Sequence, residues 1–221
     1  LKPGAGYFWR VTAANANGET VAHGGPRTFT VDGSLPRSTI GPAPQGFGKD
    51  DLVVSAALAG NAEPTYGTLQ SAREVTSAPG PDDKPDGALA FNGESSRLTY
   101  SIPYFPEEDY TASIWLCPEG EPTDRLQEVF SAWTVGMDDP LRIVVQGGKV
   151  FARIESGRAC GTEGVPVEAG EWVHVAAVKQ GAELRLYVDG QLRQTATVPQ
   201  FVFSGAQNVG VGCNPNFSGN E

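Results

Sequence analysis

The sequence predicts an all-β protein built mainly as a two-sheet antiparallel sandwich, and three observations carry that reading. Ten short runs of strand type, separated by turn residues, follow one another between residues 87 and 212. Glycine (28) and proline (17) are plentiful in the 221 residues while methionine occurs once, which favours turn-rich β structure over helices. No stretch of helical length combines a 3.6-residue apolar period with capping residues.

The runs are Gly87 to Phe91, Arg97 to Ser101, Tyr110 to Cys117, Gln127 to Thr134, Leu141 to Gln146, Lys149 to Glu155, Glu171 to Lys179, Glu183 to Val188, Gln191 to Val198 and Asn208 to Gly212. Between Leu184 and Val188, Leu184, Leu186 and Val188 fall on one face and Arg185 and Tyr187 on the other, so this strand buries one side. Asp189-Gly190 follows it, and the pair suits the positive φ angles of a type I′ hairpin turn. Asp51-Leu-Val-Val-Ser-Ala-Ala-Leu58 is an apolar run that opens the domain, whereas residues 76 to 87, rich in Pro, Gly and Asp, read as an exposed loop.

The first 50 residues have another character. Tyr7, Trp9, Val11 and Ala13 alternate along a strand, and Arg27-Thr-Phe-Thr-Val31 forms a second. These two strands resemble the last two of a fibronectin type III domain, in which Tyr7 would take the place of the corner tyrosine. The expected organisation is therefore residues 1–32 as the C-terminal strands of such a domain, 33–50 as a Pro/Gly/Ser-rich linker, and 51–221 as the main sandwich.

Within the main sandwich, five blocks occur in order: Gly87-Ala-Leu-Ala-Phe-Asn-Gly93, Tyr110-Thr-Ala-Ser-Ile-Trp-Leu116, Glu171-Trp-Val-His-Val-Ala-Ala177, Leu184-Arg-Leu-Tyr-Val-Asp-Gly-Gln191 and Asn208-Val-Gly-Val-Gly212. Together they resemble the laminin G-like, concanavalin A-like jelly-roll family. The resemblance implies two curved antiparallel sheets packed face to face, and a further closing strand beyond the Asn214-Pro-Asn-Phe217 loop, which this sequence stops short of.

Formal charge is −10, so capture of nucleic acid or an anionic bilayer through a basic patch is not expected. Cys117, Cys160 and Cys213 show no metal or redox spacing; a Cys160–Cys213 bridge and buried thiols both fit, and an odd count leaves one thiol over. No apolar run reaches the length of about 18 residues that a membrane span needs.

Glycosidases share the jelly roll, so catalysis is the first possibility the resemblance raises. No Glu-x-Asp-x-x-Glu or Glu-x-Asp-x-Glu run is present, Glu168 and Glu171 flank a turn, and His174 has no nucleophile motif beside it, so no catalytic residue is assigned. Calcium, a frequent ion in the family, would fall to Asn92 and Glu94; family acids are replaced at Ala59 and Asn92, so an ion-free sandwich is the expectation.

Sugar binding wants exposed aromatic rings flanked by amides. Tyr104, Phe105, Trp133, Asn214, Asn216 and Phe217 are the candidates, with Trp115 and Trp172 expected to pack. The function expected is a non-catalytic recognition or adhesion module with a glycan or extracellular protein ligand, within a secreted or cell-surface multidomain protein. The alternative is a structural subunit of a surface layer, sheath or filament, and after it an auxiliary part of a glycoside-processing enzyme.

Overall fold

The computed structural model describes residues 52–134 and 138–215, with the backbone of four short strands before them. It divides into two compact units, 1–43 and 44–221. In the first, β1 (Gly6–Trp9) pairs antiparallel with β4 (Arg27–Thr30), setting Tyr7 opposite Phe29, and β2 (Thr12–Asn15) pairs with β3 (Gly18–Val21). The alternating N-terminal run is thus two strands with different partners. The side chain of Tyr7 and the segment 33–50 lie outside the described residues.

The second unit opens with β5 (Ser55–Ala56), β6 (Pro64–Tyr66), β7 (Thr68–Arg73), β8 (Thr76–Ala78), β9 (Ala88–Ala90) and β10 (Arg97–Ser101). It continues with β11 (Tyr110–Leu116), β12 (Gln127–Ala132), β13 (Asp138–Gln146), β14 (Lys149–Ser156), β15 (Ala159–Gly161) and β16 (Val165–Pro166). The last four are β17 (Val173–Gln180), β18 (Glu183–Val188), β19 (Gln191–Thr197) and β20 (Asn208–Val211).

One sheet runs β15-β14-β13-β12-β20-β10-β7, with β16 also on β14; the other is β11-β17-β18-β19. Every ladder is antiparallel, and small pairs β5-β6 and β8-β9 stand beside the two sheets. This is the sandwich the sequence predicts. The Asp189-Gly190 turn takes positive φ at both residues, 51° and 73°, as the hairpin β18-β19 requires. The segment 76–87 departs from the expectation: Thr76–Ala78 is a strand against β9, and only the part between them turns.

The core lies between the sheets and follows from strand alternation. Leu141, Ile143 and Val145 on β13 and Val150, Ala152 and Ile154 on β14 meet Val173, Val175 and Ala177 on β17 and Leu184, Leu186 and Val188 on β18. Tyr100 and Tyr110 enter the same core and dispose of their hydroxyls on the carbonyls of Ala62 and Pro140.

One buried cation ties loops to this core. Lys179, on β17, donates from Nζ to the carbonyls of Glu108 (2.7 Å), Gly181 (2.8 Å) and Gln200 (2.7 Å), with the ring of Tyr110 5.5 Å away. All three donors are used, which makes a buried ammonium tolerable. Lys179→Met would keep the apolar stem and leave three carbonyls unmet. The expected loss is about 3 kcal/mol, read as a lower urea midpoint with unchanged m; an unchanged midpoint would refute the clasp.

Candidate functional site

Residues that alternate with the core positions of β13 and β14 point away from the second sheet. On β14 these are Phe151, Arg153 and Glu155; on β13, Arg142 and Val144, with Gln146 at the hairpin. Arg142 stands directly opposite Arg153, and Val144 opposite Phe151. Bulges in β12 after Glu128 and in β13 after Asp139 bring those two carboxylates onto the same outer face.

The result is a cluster absent from the sequence expectation. Arg142 reaches Glu128 at 3.2 Å through NH1, Glu155 at 3.1 Å through NH2 and Asp139 at 3.3 Å through Nε. The last contact lacks hydrogen-bond geometry, and Glu128 Oε2 and both Asp139 oxygens have no hydrogen-bond partner. Glu128 and Asp139 are buried. Burial pushes both carboxyls up to about 7, against the pull of the Arg142 guanidinium. One arginine thus serves three acids, and the two without full satisfaction retain protons that an ordinary carboxyl would lose.

Beside the cluster, the outer face opens into a cavity of about 320 Å³ between β14 and β15. Phe151, Arg153, Gln146, Cys160, Gly161 and Thr162 line it, and no acidic side chain does. The Gln146 amide donates to the carbonyl of Asp124 at 2.7 Å, fixing the hairpin against the preceding loop. Thr162 Oγ1 is held on the backbone of Ala152. Gly164 sets the ring of Phe151: a Cβ there would lie 2.5 Å from Cζ, so only glycine admits the ring at this approach. Phe151, Arg153 and Gln146 escaped the sequence reading, although the alternation in Lys149-Val-Phe-Ala-Arg-Ile-Glu155 marks an outward row carrying an aromatic and an arginine.

Among the described residues, the sequence-predicted ligand residues differ in exposure and surroundings. Tyr104 is 57% exposed, whereas its neighbour Phe105 is 8% exposed and meets Tyr110 edge-on with ring centroids 4.9 Å apart. Phe105 is therefore a core ring, because consecutive residues of an extended loop face opposite ways and the core takes one of them. Trp133 is half-buried at the end of β12, Asn214 is buried, and both make contacts with other residues. Asn216 and Phe217 lie outside the described residues. Phe201 and Phe203 form an exposed stacked pair, centroids 5.9 Å apart, which the sequence reading did not single out.

At the metal candidates, Asn92 Oδ1 accepts from the backbone amides of Glu94 (2.9 Å), Ser95 (2.9 Å) and Ser96 (3.0 Å), so the oxygen is turned into its own turn. Glu94 is exposed. Among the described residues no three His, Cys, Asp or Glu side chains gather where a metal ion could sit. His174 packs its ring on Trp115, 5.2 Å between centroids, and burial lowers its pKa while Asp189 works against that shift.

Residues 92–220 match the model of the concanavalin A-like lectin/glucanases superfamily. The chain belongs to this superfamily. Solved structures similar to this concanavalin A-like chain include the receptor-binding domain of botulinum neurotoxin type G, with a TM-score of 0.57 at 10% identity over 74% of this chain and 44% of that one. The serotype D ligand-binding domain in complex with N-acetylneuraminic acid gives 0.61 at 9% identity over 77% and 44%. A type C neurotoxin whose cell entry depends upon interaction with two ganglioside molecules gives 0.57 at 10% over 77% and 45%. These likenesses concern the fold, and the chain spans less than half the length of each neurotoxin chain. No curated protein matches the chain.

The buried cluster sets a pH dependence for the concanavalin A-like domain. Glu128 and Asp139 bind protons in the folded chain that they release on unfolding, so between about pH 4.5 and 7 the folded state holds more protons. Stability is therefore expected to fall as pH rises through that window, by on the order of 2 kcal/mol. Urea midpoints at pH 5 and pH 7.5 test the slope, and Glu128→Gln should flatten it. A chain that gains stability over the same range would contradict the assignment. Arg142→Met, which strands three acids, should cost about 3–5 kcal/mol at pH 7.5 and less at pH 5, read from the same curves.

Proposed function

We infer that the chain is a non-catalytic carbohydrate-recognition module of a larger secreted or cell-surface protein, its sandwich preceded by the end of a fibronectin type III-like domain. The observation that carries this reading is the cavity on the outer sheet face, where an aromatic ring and polar side chains converge on a rigid three-strand platform. Sugars present apolar ring faces beside hydroxyls, and a phenyl face with flanking donors answers both. The superfamily includes lectins, and two of the similar solved structures are described through N-acetylneuraminic acid and gangliosides.

The carboxylates support binding over hydrolysis. Glycosidases need an acid and a second carboxylate reaching one bond from an accessible groove. Here Glu128 and Asp139 are buried and committed with Glu155 to Arg142, and no acid lines the cavity.

A glycan array followed by calorimetry on the best binders tests the reading. Phe151→Ala is expected to weaken binding at least tenfold, about 1.4 kcal/mol, with the unfolding midpoint close to that of the parent chain. Silence against all arrayed glycans, or binding that ignores Phe151, would sink it. Turnover of a β-glucan abolished by Glu128→Gln would sink the non-catalytic part.

A further inference from the structure

The cavity wall carries a charge that the fold does not use. Arg142 and Arg153 face each other across β13 and β14, yet the three nearby acids all pair with Arg142. Arg153 lines the cavity and makes no hydrogen bond or ion pair among the described residues. A guanidinium offers five N–H donors in a planar fork that matches a carboxylate in a bidentate way. On a chain of net charge −10, this cavity is lined by one cation and no anion.

The other polar walls are partly committed. Gln146 gives one amide N–H to the carbonyl of Asp124, and the Thr162 hydroxyl is held on the backbone of Ala152. That leaves the Arg153 fork as the cavity's strong donor set, next to a phenyl ring fixed by the close approach of Gly164. Glu128 attracts Arg153 across the face, but its burial favours the protonated form near neutrality, which weakens the claim it makes on that guanidinium. A volume of about 320 Å³ is at the lower end of small-molecule sites, about 300–1,000 Å³, and suits a single sugar residue.

We propose that this cavity selects a carboxylate-bearing sugar, Arg153 taking the carboxylate and Phe151 the apolar face of the ring. The proposal rests on the carbohydrate-binding reading above and adds the class of sugar and the residue that chooses it. Sialate and uronate share the required chemistry.

Calorimetry with 3′-sialyllactose, trigalacturonate, their methyl esters and lactose tests it on the full chain. At least one acid should bind ten or more times tighter than its ester and than lactose; whichever acid wins identifies the source of the carboxylate. Arg153→Gln should erase that preference while leaving weak binding of the neutral forms, and Arg153→Lys should restore only part of it, because an ammonium cannot make the fork. Phe151→Leu should weaken acid and ester alike. Circular dichroism and urea midpoints of the variants establish that they fold; should Arg153→Gln fail that check, the acid-to-ester ratio of the parent chain still decides. Esters binding as tightly as acids, or a preference that survives in Arg153→Gln, would overturn the acidic-sugar assignment and leave carbohydrate recognition standing. Absence of binding to every sugar, lactose included, would overturn both.

Discussion

Because side chains alternate with a period of two along a strand, the register of the β13–β14 hairpin decides at once what is core and what is site. Gly147 and Gly148, both at positive φ, close the hairpin so that Gln146 meets Lys149 and Val145 meets Val150. From that turn the pairing places Ile143 and Ala152 inward and Arg142, Arg153, Val144 and Phe151 outward. A slip of β14 by one residue would carry Phe151, Arg153 and Glu155 into the apolar interior and expel Val150, Ala152 and Ile154. Core burial therefore selects the register, and the register composes the outer face. The cavity has its floor on the same strand that supplies three fully buried residues to the core, which is the rigidity a recognition site needs.

The same pairing explains why one arginine is saturated and its neighbour is not. Bulges on β12 and β13 swing Glu128 and Asp139 toward Arg142, and Glu155 joins from β14. Three acids around one guanidinium cannot all remain ionised in a buried setting, since each desolvated carboxylate repels the others. Proton uptake by Glu128 and Asp139 relieves the excess. The cluster thus approaches local neutrality without recruiting Arg153, whose donors are left to the cavity. A cluster of this kind adds little net stability over an apolar replacement, but the loss of its single cation would be costly. Its effect is to hold β12, β13 and β14 in one arrangement on the face where the ligand would sit.

Much of the fold was legible in the sequence and little of the site was. All ten strand runs read from alternation and turn residues become strands, and Asp189-Gly190 makes the hairpin turn that its residue types imply. Among the strands that were missed, β7, six residues long, is mostly polar and exposed, and β6, β8, β15 and β16 are two or three residues long. So short a segment has no periodicity to read, and tertiary pairing alone makes it a strand; β8 was further masked by the Pro- and Gly-rich turn that follows it. A search for acids on one strand could not see Glu128, Asp139 and Glu155, because three strands and two bulges bring them together. Loop aromatics such as Tyr104 and Phe105 drew attention to loops, while Phe151 and Arg153 lay inside a strand whose inward residues looked like plain core. The outward row was visible as a pattern, but nothing in the pattern tells a solvated face from a cavity wall.

An anionic ligand on an acidic protein looks contradictory until the ranges of the two effects are compared. The net charge of −10 acts over the whole surface, and at physiological ionic strength a charge is screened beyond about 8 Å. It opposes the approach of an anion and so bears on association rate. Specificity is decided at contact, where water is partly displaced and each hydrogen bond counts. In the cavity the near field comes from Arg153, with no acid on the wall, and beside it burial raises the Glu128 carboxyl to about 7, so that its negative charge is only partial at neutral pH. Repulsion from the remaining surface then works against promiscuous capture of polyanions, which carry charge well beyond the cavity rim. On the acidic-sugar proposal, a single carboxylate that fits beside Phe151 would escape most of that penalty, and the acidity of the chain and the Arg153 guanidinium would act together as a filter for small acidic sugars over extended anionic polymers.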